Sequence, residues 1–434
     1  MTTPMKRRAS NLLLDWKNSQ RSRKPLLLNG ARQVGKTWLL QHFAQQNYEN
    51  HIHISLDSNT RIASYFDDDI TPARIITLLE AEFRQNITPG KTLVIFDEIQ
   101  SCERALTSLK YFAEDAPEYH ITAAGSLLGV AINRERYSFP VGQVQMLNLH
   151  PMDFEEYLTA RDETLLLEAI QEGFQHKKPL LPGLHQKAIE RYREYLVTGG
   201  MPAVVAAFRE GTPFFDLPLL QEQILGNYSA DMAKYASPSE TVKIRACFNS
   251  LPAQLGKDNH KFQYRVVRKG GSAAIYAEAI EWLVLAGVVN RCQKTEQGLQ
   301  PVTTHVDPGS FKLYHLDTGL LSAQTGVRQS DILTGTPQHF QGALAENYVA
   351  QQLVARSNQL YYWTSNNTAE VDFVLQSQAG VTAIEVKSGG NTHSKSLRQF
   401  INRYSPERAI RLSLKPFGSG GDLQAVPLYA AFCL

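Results

Sequence analysis

Cysteine is scarce in this chain. Cys102, Cys247, Cys292 and Cys433 are scattered over 434 residues, with no two at the spacing of a metal knuckle. That argues against a disulfide-built domain or a zinc site and for reduced thiols in a cytoplasmic protein. Long apolar runs are missing too, and nothing approaches the roughly 20 residues a membrane-spanning helix needs, so no membrane partner is expected. The first apolar stretch, residues 11–16, is too short and too soon charged for a signal peptide. A dominant charge sign is also absent: 44 Lys and Arg against 42 Asp and Glu leave a net charge of +2. Bulk electrostatics therefore do not select nucleic acid. Only local clusters hint at it, Lys6-Arg7-Arg8 with Arg21, Arg23 and Lys24, and then Arg265, Arg268 and Lys269. Such clusters more commonly coat a solvated face. Internal repeats and low-complexity segments are lacking.

What is present is material for cores: 43% of residues are hydrophobic and 20% charged. The length calls for two to four domains. In the first third, short apolar strands alternate with helices. Strands are expected at 25–28, 51–56, 91–96 and 120–124, and helices at 38–44, 75–83 and 103–113. This rhythm predicts an α/β fold with a parallel sheet covered on both faces. From 152 to about 235 the pattern turns helical. Residues 241–292 read as three helices and a strand, with 311–316 pairing as a wing, a winged-helix pattern. A Gly-Thr-Pro linker at 335 leads to a helix at 342–356 and strands at 359–364, 370–376 and 382–387. The domains expected are thus 1–158, 159–240, 241–333 and 336–434.

Gly30, Ala31, Arg32, Gln33, Val34, Gly35, Lys36 and Thr37 fit G-x-x-x-x-G-K-[S/T] between an apolar strand and a helix. The glycines let backbone N–H groups wrap the phosphates of ATP, Lys36 reaches the β- and γ-phosphates, and the Thr37 hydroxyl ligates Mg²⁺. Asp97 and Glu98 close the strand Leu93-Val94-Ile95-Phe96, where a carboxylate faces the ligand crevice of a parallel sheet. Asp97 is expected to hold the Mg²⁺ through water and Glu98 to polarise the attacking water. Ser126, ending the next strand, is placed to sense the γ-phosphate or to orient water. His51 and His53 alternate on one strand without an obvious third ligand, which favours hydrogen-bonded or solvated side chains over zinc.

These motifs, with Phe-Asp-Glu-Ile-Gln (96–100), Ala-Gly-Ser-Leu-Leu-Gly (124–129), Pro-Met-Asp-Phe-Glu-Glu-Tyr-Leu (151–158), Gly-Gly-Met-Pro (199–202) and Phe-Lys-Leu-Tyr-His-Leu-Asp-Thr-Gly-Leu-Leu (311–321), resemble a bacterial and archaeal group of AAA+ ATPases. In that group a C-terminal domain of unknown function is related to PD-(D/E)XK, restriction-endonuclease-like, nucleases. The resemblance covers nearly the whole chain. It implies a P-loop AAA+ core, a winged-helix segment and a nuclease-like α/β tail. Members often carry Lys or Gly-Arg where this chain has Gln143, so a cation offered to a neighbour's ATP would have to come from Arg134 or Arg136.

The tail carries Asp372 and then Glu385-Val386-Lys387, which resembles the D…(D/E)-x-K nuclease pattern. Glu346 on the preceding helix is a further acidic ligand and Gln399 a fourth polar contributor. Carboxylates of this kind hold Mg²⁺ against a phosphodiester, and the lysine steadies the nucleophile or the developing charge. Glu385 and Lys387, at i and i+2, share one strand face. The expected recognition helix of the winged-helix segment, 273–286, carries Tyr276, Glu278 and Glu281 but no Arg or Lys, which suits base reading poorly. Two functions follow as expectations: an ATP-driven machine acting on DNA as a homo-oligomer, with the tail cutting or gripping it, or a nucleotide-dependent switch that assembles protein partners on an inactive tail.

Overall fold

In the computed structural model, residues 5–19, 23–126, 140, 142–257, 260–365, 369–389 and 394–434 are described. Arg134, Arg136, residues 127–129 of the sensor motif and Arg21 lie outside them. The chain divides into two compact units. One spans Lys6–His150 with Leu285–Gly287, and the other comprises Met1–Met5, Pro151–Val284 and Val288–Leu434. Among the described residues no helix is long and apolar enough to cross a membrane.

The first unit is built on β1 (Leu26–Asn29), β2 (Asn50–Ser55), β3 (Thr92–Asp97), β4 (His120–Gly125) and β5 (Gln145–Asn148), in the order β2-β3-β4-β1-β5. Every pairing is parallel, as the alternating pattern predicts. Every residue of β3 and β4 is buried, the signature of strands covered on both faces. Leu27, Ile54, Phe96 and Ile121 pack with Ile75 and Leu79 of helix Pro72–Phe83 and with Leu109 and Phe112 of helix Glu103–Asp115. β5, short and largely exposed, has no apolar alternation to announce it and was not expected. The register sets Ser55 beside Asp97 and Asn29 beside both Gly125 and Asn148, so the C-terminal strand ends form one rim.

The second unit begins with helices, among them Phe154–Ala160, Pro182–Thr198 and Leu217–Tyr235. It ends in an eight-stranded sheet. Its strands are β6 (Val289–Thr295), β7 (Val306–His315), β8 (Leu360–Ser365), β9 (Ala369–Gln376), β10 (Val381–Lys387), β11 (Arg408–Ser413), β12 (Gly418–Gly420) and β13 (Leu423–Pro427). The order is β12-β13-β11-β10-β9-β8-β6-β7. The hairpin expected as a wing forms, but it is built into this larger sheet. β6 pairs antiparallel with β7 and parallel with β8, Cys292 beside Leu360 through Thr295 beside Trp363. The domain boundary expected at 334–335 thus falls within a single sheet, because β6 satisfies the backbone of β8 on the side that β9 leaves open.

Three of the motif segments meet in one buried knot. Asp153 and Glu156 form a reciprocal capping box for helix Phe154–Ala160. Met152 donates its N–H to the Gly200 carbonyl at 2.7 Å, and the Gly200 N–H donates to Asp317 Oδ2 at 2.6 Å. The Leu320 N–H donates to Asp317 Oδ1 at 3.0 Å, and Gln351 Nε2 donates to both Asp317 Oδ2 and the Tyr195 hydroxyl at 2.9 Å. Asp317 is fully buried, and burial pushes its carboxyl above the usual range; this set of donors is what makes its burial tolerable. A Cβ on Gly200 would stand 1.9 Å from the Met152 carbonyl oxygen, so that position admits only glycine.

Candidate functional site

The loop between β1 and helix Lys36–Asn47 is shaped by backbone that few residues tolerate. Gly35 is left-handed at φ 93° and Gln33 at φ 66°, while a Cβ on Gly30 would lie 2.3 Å from the Leu149 carbonyl oxygen. The helix starts at Lys36 with no side-chain cap. Its first N–H groups therefore point into the loop, the arrangement that receives anions. Lys36 is buried, and its ammonium donates to the carbonyls of Gly30 at 2.9 Å and Ala31 at 2.8 Å.

At the adjacent strand end, Thr37 Oγ1 donates to Asp97 Oδ2 at 2.6 Å. The Glu98 N–H donates to Asp97 Oδ1 at 3.0 Å. Burial alone would push the Asp97 carboxyl up; the hydrogen bonds from His53, Thr37 and the Glu98 amide outweigh it and hold the carboxyl below the usual range. Glu98 sits in a left-handed conformation at φ 50°, which turns its side chain off the strand. Its Oε2 accepts from the Ser126 hydroxyl at 3.0 Å and from the Gln100 amide. The structure thus brings together Lys36, Thr37, Asp97, Glu98 and Ser126. This donor and acceptor set fits a Mg²⁺–triphosphate: an anion seat of amides and ammonium beside a hydroxyl–carboxylate pair.

Two contributors were missed. Arg7, read from the sequence as part of a basic cluster, is buried, and donates through Nη1 to the Val34 carbonyl at 2.9 Å and through Nη2 to the His150 carbonyl at 2.7 Å. It ties the phosphate loop to the segment after β5. Nothing local in Lys6-Arg7-Arg8 separates a buried arginine from a solvated one. His53 Nε2 lies 3.1 Å from Asp97 Oδ2. The signal for it was available, since β2 runs parallel to β3 and brings this histidine near the end of that strand. Gln143 pairs with Glu114 at 3.0 Å.

In the second unit, Asp372 on β9 accepts the Val386 N–H at 2.7 Å, and Lys387 pairs with Glu385 at 3.0 Å. Burial, then the charge of Glu346, pushes the Asp372 carboxyl up to about 8. Glu346 itself goes the other way. Burial would raise it, but Lys312 and His260 hold it down to about 2. Its Oε2 lies 2.8 Å from His260 Nδ1 and 3.5 Å from Lys312 Nζ, and accepts the Tyr314 hydroxyl at 3.0 Å. Glu346 is therefore not gathered with Asp372 and Glu385 as one ligand set. Among the described residues no group of three or more His, Cys, Asp or Glu side chains is arranged to hold a metal ion. Gln399 is exposed and donates to Ser365 at 3.3 Å.

Residues 22–158 match the model of an AAA domain, residues 189–331 that of a domain of unknown function (DUF8612), and residues 341–430 that of a second domain of unknown function (DUF4143). The N-terminal part of the chain is accordingly similar to an AAA domain. No curated protein matches the chain. Among solved structures, the ORC2 protein of Aeropyrum pernix in its ADPNP–ADP complexes is 13% identical, with 75% of this chain and 92% of that one covered at a TM-score of 0.39. The ORC1 protein of Aeropyrum pernix in complex with DNA is 10% identical, with 74% and 91% covered at a TM-score of 0.28. AMPPCP-bound DnaA from Aquifex aeolicus is 13% identical, with 66% and 93% covered at 0.28. Overlaps this loose carry no inference about ligands or partners.

Proposed function

We propose that this chain binds and hydrolyses ATP with Mg²⁺ at the Gly30–Thr37 loop and uses it to act on DNA as a homo-oligomer. The observation that carries the first part is the convergence of the buried Lys36 ammonium with the Thr37–Asp97 pair at one strand rim. Loop amides and Lys36 would take the phosphates, Thr37 and Asp97 would hold Mg²⁺, and the ion would neutralise charge developing on the leaving phosphate. Glu98, whose Oε2 accepts the Ser126 hydroxyl, would orient the attacking water as a base. Equilibrium titration with ATP–Mg²⁺ tests this: Lys36→Ala is expected to lose binding, and Glu98→Gln to bind normally while turning over about 100-fold or more slowly. Undiminished affinity in the first variant, or normal turnover in the second, refutes the assignment.

DNA as partner is supported by the tail. Asp372, Glu385 and Lys387 lie on adjacent strands in the D…(D/E)-x-K arrangement, and helix Lys395–Tyr404 presents exposed Lys395, Arg398 and Arg403 with no acid on it. Such a face suits a phosphate backbone. Mg²⁺-dependent cleavage of branched, single-stranded and duplex DNA by the unaltered chain and by Lys387→Ala separates a working nuclease from the second reading, a nucleotide-dependent switch on an inactive tail. That second reading is favoured by one observation, the lysine Lys312 enclosed among the tail's acids.

A further inference from the structure

Lys312 has no exposed side-chain surface. It sits on β7 two residues before Tyr314, so both side chains leave the same face of the strand, and both reach Glu346. Its ammonium also pairs with Glu370 and stands 5.1 Å from the centre of the Tyr362 ring. Glu370 and Asp372 are again two apart on β9, so Asp372 belongs to the same face. A buried ammonium is tolerable only where carboxylates compensate it, and here Glu346 and Glu370 pair with it while the charge of Asp372 acts on it as well.

The acidic cluster is therefore divided. In its inner half Glu346 Oε2 already faces an imidazole, a hydroxyl and an ammonium, more donors than one carboxylate oxygen has lone pairs. In its outer half Glu385 is only 3% exposed. Its Oε1 pairs with Lys387, while Oε2 is buried and finds no hydrogen-bond partner among the described residues. An orphaned buried acceptor of this kind is destabilising and calls for a cation or a proton. Lys312 already compensates Glu346 and Glu370 in the inner half, so Glu385 Oε2 is the acceptor left for a further cation.

We infer that Lys312 is a built-in cation standing where a second metal ion would otherwise sit, so that the tail takes a single divalent ion between Asp372 and Glu385 and Glu346 is not a ligand. This rests on the reading of the tail as a cation site. Lys312 then acts as a positioning residue: it holds Glu346 and Glu370 apart from the ion and keeps a second one out, since two cations a few ångströms apart repel strongly in a buried setting.

Mn²⁺ binding to the nucleotide-free full-length chain, followed by electron paramagnetic resonance and calorimetry, tests it. One ion per chain is expected, lost in Asp372→Asn and in Glu385→Gln and kept in Glu346→Gln. Lys312→Met should either take up a second Mn²⁺ or melt at lower temperature and be restored by millimolar Mn²⁺. Should that variant fail to fold, the Glu346→Gln result alone decides. Two ions in the unaltered chain, one of them removed by Glu346→Gln, overturn the role of Lys312 and leave the cation site standing. Absence of any ion that depends on Asp372 overturns the cation site itself and the inference with it.

Discussion

Arg7 shows how a single side chain can set a loop. Its two guanidinium nitrogens each satisfy a backbone carbonyl, those of Val34 and His150, and a lysine offers only one nitrogen on a flexible stem. Arg7→Lys is therefore expected to weaken ATP binding roughly tenfold, about 1.4 kcal/mol, in an equilibrium titration, with the fold retained by circular dichroism; unchanged affinity would show that the loop holds its shape unaided. A second residue-scale consequence concerns acid. Burial, then the charges of Arg23 and Lys17, lowers His120 from 6.5 to about 4, and its ring is hydrogen-bonded with the Tyr48 hydroxyl at 2.7 Å. His150 is lowered to about 4 and His315 to about 3, burial leading in both. The folded state thus binds these protons less well than the unfolded chain. The stability contribution is complete above pH 6.5 and is lost as pH falls through the folded value near 4. His120→Gln should flatten the stability–pH curve across that window by about 1.4 kcal/mol per pH unit. Denaturant titrations at several pH values measure it, and an unaltered slope would count against the buried neutral ring.

At the scale of elements, the parts most legible in the sequence were those whose chemistry is local. The phosphate loop declares itself because its glycines, its lysine and the flanking strand and helix are consecutive. Asp97 declares itself because an acid closing an apolar strand is costly to bury unless it meets a metal ion or a donor. The strand–helix rhythm located β1 to β4. The rest depends on contacts distant in sequence. β5 had no pattern of its own, the role of Arg7 rests on carbonyls 27 and 143 positions away, and the partner of β6 lies in a strand beyond the expected linker. The motif around Gly199-Gly200 and that around Asp317 were legible as signals but not as a pair. In the structure they form one hydrogen-bonded knot. Gly200→Ala, whose Cβ would meet the Met152 carbonyl oxygen at 1.9 Å, should cost about 3 kcal/mol or more, read as a lowered thermal midpoint. A midpoint within a degree of the unaltered chain would mean that this close approach can relax.

At the scale of the whole molecule, the first matched segment, 22–158, lies largely within one compact unit, but the second and third, 189–331 and 341–430, do not coincide with independent bodies. The eight-stranded sheet draws β6 and β7 from the second segment and the remaining strands from the third. One consequence is practical. A tail excised from residue 336 onward would be shorn of β6, and the N–H and C=O groups of Leu360 to Trp363 that β6 satisfies would face water as a naked, sticky border. Such a fragment should self-adhere into large species on size-exclusion chromatography while the intact chain does not. An inert tail fragment in a DNA assay would then report the cut, not the chemistry of the tail.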